Sequence, residues 1–88
     1  MRLQIFAVRD RATDQYGTPM FLVSSGQAIR SFSDEVNRKH SDSTPNPLNQ
    51  HPEDFDLYSL GEWNTDTGMF ETGVPKQLAI GKDLIVKT

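Results

Sequence analysis

The chain has 88 residues, 35% of them apolar, with a net charge of −3 and no cysteine. This length predicts one domain over residues 1–88, and the lack of cysteine excludes disulfides, cysteine-bound metal clusters and thiol catalysis. No apolar run reaches the roughly 18 residues of a membrane span, and the N-terminus turns polar too soon for a signal peptide. We therefore expect a soluble cytoplasmic protein without a membrane partner.

Two apolar runs near the N-terminus are predicted to pair as an antiparallel hairpin with a long loop. Residues 3–8 form a strand that is apolar on both faces, because side chains alternate along a strand. Residues 14–19 have the composition of a turn, and the apolar residues 20–23 form the second strand.

The most regular pattern in the chain, over residues 27–39, predicts a helix. Its apolar residues, including Phe32 and Val36, recur at helical spacing and define one buried stripe. Ser24 followed by Gln27 matches a capping box, in which side chains satisfy the first free backbone N–H groups. The helix is therefore expected to begin directly after Ser24.

The second half of the chain is less regular. Residues 40–54 contain three prolines and are predicted to form a mobile loop. Strands are predicted at 55–63 and 69–72, joined by a hairpin turn, and the segment 73–75 is expected to end the second strand. The C-terminal tail, 76–88, is predicted to be either a fifth strand or a docked segment.

The order of these elements is β-β-α-β-β. We predict an α+β fold, an antiparallel β-sheet of four to five strands with one helix packed on one face. The other face would then be covered by a ligand or by a second copy of the chain, which predicts a homodimer. Strand pairing through residues 84–86 is one route to that dimer. In the alternative, the tail folds back over its own sheet and completes a monomer.

Few residues indicate catalysis or a bound cofactor. The metal-like cluster His40, Asp42, His51, Glu53 and Asp54 lacks a tight ligand spacing, so we interpret it as turn and solubility residues. The start of the helix at Ser24 lacks the lysine of a phosphate-binding loop and is interpreted as a cap. We expect no enzyme activity, no cofactor and no metal.

Charge is divided unevenly along the chain. Residues 1–39 carry six basic and four acidic side chains, whereas residues 40–75 carry seven acidic side chains and no Lys or Arg. Residues 76–88 carry three basic side chains and one acidic side chain. The chain as a whole lacks the excess of positive charge that is typical of proteins that bind nucleic acid. A basic face opposite an acidic one would still suit local binding or self-association. Simple solubility is the alternative interpretation.

Surface binding is the remaining class of function. Single-stranded DNA is held by aromatic side chains that stack on bases and by Lys and Arg near the phosphates. The candidate residues are Arg2, Phe6, Arg9, Arg11 and Tyr16 around the first strand, and Arg30, Arg38 and Lys39 on the helix. In the alternative interpretation, Phe6 is a core residue and the arginines are ordinary charges at the strand end.

Residues 51–68 carry the most specific pattern in the chain, HPEDFDLYSLGEWNTDTG. They resemble the pattern HPEDY-LY-LGEFD--TG of the small nonstructural protein of gokushovirus-type microviruses, which are single-stranded DNA phages. Trp63 stands where that family often has Phe, and Asn64 where it often has Asp. The resemblance extends over about residues 1–75, and neither departure changes the expected fold.

The resemblance implies a phage protein outside the virion that acts in the host bacterial cytoplasm. It implies DNA binding, or a role when replication switches from duplex copying to single-strand synthesis, and it carries over no catalytic residue. Together with the arginines and aromatic residues around the first strand, it predicts binding of single-stranded DNA during genome replication or at that switch. The alternative is a protein–protein adaptor that binds the phage replication initiator or procapsid. The acidic segment 53–71 motivates that alternative.

Overall fold

In a computed structural model of the chain, which describes residues 1–86, strands and helices combine in one α+β fold, as predicted. The strands are β1 (Arg2–Asp10), β2 (Gln15–Tyr16), β3 (Met20–Leu22), β4 (Phe55–Asn64) and β5 (Phe70–Ile80). The helices are α1 (Ser25–Asn37), α2 (Pro47–Gln50) and α3 (Gly81–Leu84), and a 3₁₀ turn covers Pro52–Asp54. Residues 87 and 88 of the predicted tail lie outside the described residues.

The sheet is antiparallel throughout, and β1 lies at its centre. Both β2 and β3 pair with one edge of β1, β4 pairs with the other edge, and β5 pairs with β4. The predicted hairpin of the first two apolar runs is confirmed, since Ile5 lies opposite Phe21. The pairing of Gln15 and Tyr16 with the end of β1 adds a strand inside the predicted loop.

Helix α1 covers one face of the sheet and forms the main core with it. The buried residues of this core are Phe6, Ala28, Phe32, Val36 and Leu57. The predicted cap is confirmed, because the backbone N–H of Gln27 donates to the Ser24 side chain. The Gln27 side chain in turn accepts from the N–H of Val23, one residue before the usual capping-box partner.

The Pro-rich segment 40–54, predicted to be a mobile loop, contains α2 and the 3₁₀ turn. Its anchor is Asn46, which is fully buried. The Asn46 amide donates to the backbone carbonyls of Glu35 and Arg38 at 2.7 and 2.6 Å. The Glu35 carbonyl also accepts the backbone N–H of Arg38, whereas the Arg38 carbonyl lies beyond the last turn of α1, so Asn46 adds side-chain hydrogen bonds to the end of the helix.

Strand β5 does not end at Gly73-Val74-Pro75, so the predicted break there is wrong. The strand lies at the edge of the sheet, where a proline can be tolerated although it has no backbone N–H to donate. The register shifts between Ser59 and Gly61 of β4, and this shift accommodates the segment with Pro75. The first residues of the predicted tail therefore belong to β5.

The rest of the described tail docks on the core side of the sheet. Leu84 and Ile85 pack against the core, and the Asn37 amide donates to the carbonyl of Leu84. The N–H of Val86 donates to the Asn37 side chain, which fixes the end of this segment. The tail thus folds back on its own chain on the α1 side and leaves the other face uncovered. Within residues 1–86, no helix is long and apolar enough to cross a membrane.

Candidate functional site

The face of the sheet opposite α1 carries most of the aromatic side chains, and we call it the open face. Side chains of directly paired residues lie on the same face of a sheet. Ile5 and Ala7 of β1 are buried but lie outside the α1 core cluster, so they form the floor of the open face. Tyr58 lies opposite Ala7, and Trp63 lies opposite Leu3. The open face therefore has two aromatic ends, about 13 Å apart along β1.

One end of the open face, the tyrosine end, consists of Arg9, Arg11, Tyr16, Asp56 and Tyr58. The rings of Tyr16 and Tyr58 meet edge to face at 5.4 Å, and the Arg9 guanidinium lies 6.0 Å from the centre of the Tyr16 ring. Tyr16 remains 45% exposed. The tyrosine end thus presents an accessible ring beside cationic groups.

Arg11 is held in place by a buried carboxylate. Its Nε and Nη2 donate to the two oxygens of Asp56 at 2.6 and 2.9 Å, and the Asp56 side chain is fully buried. This hydrogen bond is the main cause that raises the pKa of Arg11 above its ordinary value. The bidentate pair fixes the plane of the guanidinium, and within residues 1–86 its remaining N–H groups are available to donate to another acceptor.

Arg9 has a more accessible partner. It is ion-paired with Asp14, whose side chain is largely exposed and whose backbone has a positive φ of 56° in the turn before β2. The hydrogen bond to Asp14 is the largest cause that raises the pKa of Arg9. An incoming anion can replace an exposed carboxylate at low cost, because exposed ion pairs contribute little to stability.

Arg11→Ala is expected to lower the melting temperature by several degrees, whereas Arg9→Ala changes it little. Removal of Arg11 leaves the buried Asp56 carboxylate without its partner, while Asp14 remains solvated when Arg9 is removed. Thermal unfolding followed by circular dichroism measures both effects. As a control, Asp56→Asn added to Arg11→Ala recovers part of the loss. Equal melting temperatures for the two arginine variants would contradict this assignment.

The other end of the open face, the tryptophan end, consists of Phe21, Trp63 and Phe70. The rings of Trp63 and Phe70 stack at 6.1 Å with 27° between their planes, and Phe21 contacts Trp63 edge to face at 5.8 Å. On the α1 side of the same strand ends, Arg2 is ion-paired with Glu62 and Glu71. This end is therefore mainly apolar, and acidic groups border it.

The structure separates the predicted binding residues into different places. Arg9, Arg11 and Tyr16 come together at the tyrosine end, as a shared site requires. Tyr58 joins them, although it was not among the predicted site residues. Its signal in the sequence was the alternation within β4, which puts it on the face opposite Leu57.

Phe6 is not available for stacking on a base, so its prediction as a binding residue is wrong. Its side chain is fully buried against α1, on the opposite side of the sheet from Tyr16. The alternative interpretation of Phe6 as a core residue is confirmed. The reason is the register of β1, in which Phe6 alternates with the open-face residues Ile5 and Ala7.

The other predicted residues lie away from the tyrosine end. Arg30 is exposed on α1, and Arg38 and Lys39 follow at its C-terminal end, so the sheet separates all three from the open face. Arg38 donates to Glu35, and this hydrogen bond is the main cause that lowers the pKa of Glu35. Arg2 is bound to carboxylates at the tryptophan end. None of these four residues is positioned to act together with Tyr16.

The residues of the metal-like cluster are only partly brought together. Ligand atoms of His51, Glu53 and Asp54 lie within 4.8 Å of one another at the 3₁₀ turn, mostly exposed. His40 is used elsewhere, because its Nδ1 accepts the backbone N–H of Asn46 at 2.8 Å. The arrangement is that of surface side chains around a turn.

Comparison with known proteins places the chain in a family. No curated protein and no solved structure matches it. A family model described as phage ORF5 protein matches residues 3–84, which is nearly the whole length of the chain. The chain therefore belongs to the phage ORF5 protein family.

Proposed function

We propose that this phage protein binds single-stranded DNA at the tyrosine end of the open face. It acts there without enzyme activity, during genome replication or at the switch to single-strand synthesis. The pattern in residues 51–68 favours a phage of the gokushovirus type, with the host bacterial cytoplasm as the site of action. The observation that carries the proposal is the exposed Tyr16 ring beside Tyr58, with Arg9 next to both rings and Arg11 held by Asp56 at the same end of the face.

The two tyrosines supply the apolar part of this binding. Bases stack on aromatic side chains with little dependence on sequence, and each stacked base contributes about 1–3 kcal/mol. Tyr16 offers its exposed surface to a base, and Tyr58 supports the Tyr16 ring from the neighbouring part of the sheet at 5.4 Å. Single-stranded DNA suits this arrangement better than duplex DNA, because its bases are free to leave the stack.

The two arginines supply the charged part. A phosphate group takes the place of Asp14 at Arg9, and the free N–H groups of Arg11 donate to a neighbouring phosphate. Asp56 keeps the Arg11 guanidinium oriented before DNA arrives, which reduces the entropy lost on binding. Because the chain has a net charge of −3, the electrostatic attraction is local, and we expect binding to weaken steeply with salt.

Tyr16→Ala is expected to weaken binding of a labelled oligothymidine by about 5- to 150-fold, the equivalent of one lost base stack. Fluorescence anisotropy at low salt measures the affinity. Tyr16→Phe is the matched control and retains affinity, because it keeps the ring. Arg9→Ala lowers the slope of log affinity against log salt by about 0.7, the value for one phosphate contact on a single strand.

The proposal fails if the wild-type protein gives no anisotropy change at tens of micromolar protein in low salt. The tyrosine end is not the binding site if Tyr16→Ala and Arg9→Ala leave both the affinity and the salt slope unchanged. Loss of binding in Arg30→Ala or Lys39→Ala instead would place the DNA on the α1 side of the sheet.

A second candidate function is a protein–protein adaptor for the replication initiator or the procapsid. The acidic residues Glu62 and Glu71 beside the apolar tryptophan end favour it. Absence of DNA binding, together with retention of the purified initiator protein on an immobilised sample of this chain, would support the adaptor.

A further inference from the structure

The tryptophan end of the open face leaves large apolar side chains exposed. Met1, Phe21 and Phe70 are between 43% and 64% exposed. Met1 belongs to this end because the backbone N–H of Thr65 donates to its carbonyl, and alternation from β1 puts its side chain on the open face. These three residues, together with the partly buried Trp63, form one apolar patch.

We propose that two copies of the chain form a two-fold dimer through this apolar patch. A large side chain of this kind covers about 150–250 Å², so the exposed fractions of the three residues amount to roughly 330 Å² of mainly apolar surface per chain. A standard interface buries about 800 Å² per partner, and about 65% of a homodimer interface is apolar. The patch therefore provides more than half of the apolar area that a stable dimer requires.

The charges around the patch favour a second copy of the chain over nucleic acid. Arg2 is bound to Glu62 and Glu71, and the N-terminal amine is bound to Asp66. Glu62 and Glu71 lie on the α1 side of the same strand ends and Asp66 lies in the turn beyond them, so these three carboxylates repel phosphate groups from this end. A second copy of the chain presents an apolar patch of its own, and a two-fold contact buries both patches against each other.

The docked C-terminal segment leaves the patch available. Leu84 and Ile85 pack on the α1 side of the sheet and do not cover the open face. The tyrosine end lies about 13 Å further along β1, so it stays uncovered when the tryptophan ends of two copies meet. A dimer of this kind carries two separate tyrosine ends.

The mass of the protein in solution, measured by light scattering after size-exclusion chromatography without DNA, tests this inference. We expect twice the 9.9 kDa of the chain for the wild type and the single-chain mass for Phe70→Glu. Val74→Glu is the matched control, because Val74 is 85% exposed on the same strand but lies outside the patch, and it should remain a dimer. Phe21→Glu gives a second test from β3, because it leaves the stack of Trp63 on Phe70 in place.

A wild-type mass of 9.9 kDa at 100 µM, on the order of the concentration at which weak dimers form, would overturn the dimer. A dimer that survives both Phe70→Glu and Phe21→Glu would overturn the patch as its interface. Dissociation by Val74→Glu as well would assign the contact to the β5 edge and would also overturn it. Because no DNA is present, these outcomes are independent of the proposed nucleic-acid binding.

Discussion

Phe6→Ala is expected to lower the free energy of unfolding by about 3–5 kcal/mol, the usual cost of removing a buried Phe side chain. Phe6 is fully buried and packs between the sheet and α1, in a cluster with Phe32 and Leu57. At about 0.05–0.15 kcal/mol per residue, a domain of this length has only about 4–13 kcal/mol of stability. This one substitution therefore removes a large part of it, and urea unfolding followed by circular dichroism measures the loss.

Phe6→Leu is the matched control for the role of this residue. It keeps most of the buried volume, so it costs less than about 1.5 kcal/mol and leaves the tyrosine end intact. DNA affinity should then equal that of the wild type. A folded Phe6→Leu protein that loses affinity as strongly as Tyr16→Ala would contradict the assignment of Phe6 to the core.

The contrast between Phe6 and Tyr58 illustrates what the sequence could and could not predict. Alternation showed that β1 is apolar on both faces, but it did not say which face α1 covers. That choice depends on the register between β1 and β4 and on where α1 docks, which are contacts between residues more than 20 positions apart. The helix itself was predictable, because its cap and its apolar stripe are local signals.

Two buried polar residues escaped prediction for a similar reason. Asp56 follows Phe55 in an ordinary strand pattern, and its partner Arg11 lies 45 positions earlier in the chain. Asn46 lies among prolines and polar residues that resemble a loop, yet its amide completes the end of α1. Polar residues of this kind reveal their role only when the elements around them are in place, because composition alone favours the surface for them.

Gly61→Ala is expected to have the second large effect, on the pairing of β4 with β5. Gly61 has a φ of +142°, a backbone conformation that residues other than glycine rarely adopt. A methyl group there would contact the backbone oxygen of Glu71 and would lie 2.8 Å from the Cα of Thr72, so β5 would have to move. Strain of about 1–3 kcal/mol combines with this clash, and we expect a total loss of at least about 3 kcal/mol.

The chain offers two controls that separate the causes of this loss. Gly68→Ala also places a side chain at positive φ, 74°, but meets no atom within 4 Å, so it isolates the backbone strain at about 1–2 kcal/mol. Gly73→Ala meets neither strain nor contact and should change stability little. The fluorescence of Trp63, the only tryptophan of the chain, reports on the pairing of β4 with β5. Trp63 lies two positions beyond Gly61 on β4 and stacks on Phe70 of β5.

Movement of β5 in Gly61→Ala separates the Trp63 ring from the Phe70 ring, so the emission of Trp63 should shift to longer wavelength before the protein unfolds. Gly68→Ala should keep the wild-type spectrum. The tyrosine end lies on the other side of the register shift, where Asp56 and Tyr58 pair with β1 and with the far part of β5, residues 77–80. In the fraction that remains folded, DNA affinity should therefore persist while the apolar patch loses its shape and the dimer weakens. If Gly61→Ala costs no more than Gly68→Ala and leaves the Trp63 spectrum unchanged, then the close approach of Gly61 to β5 does not determine the geometry of the tryptophan end.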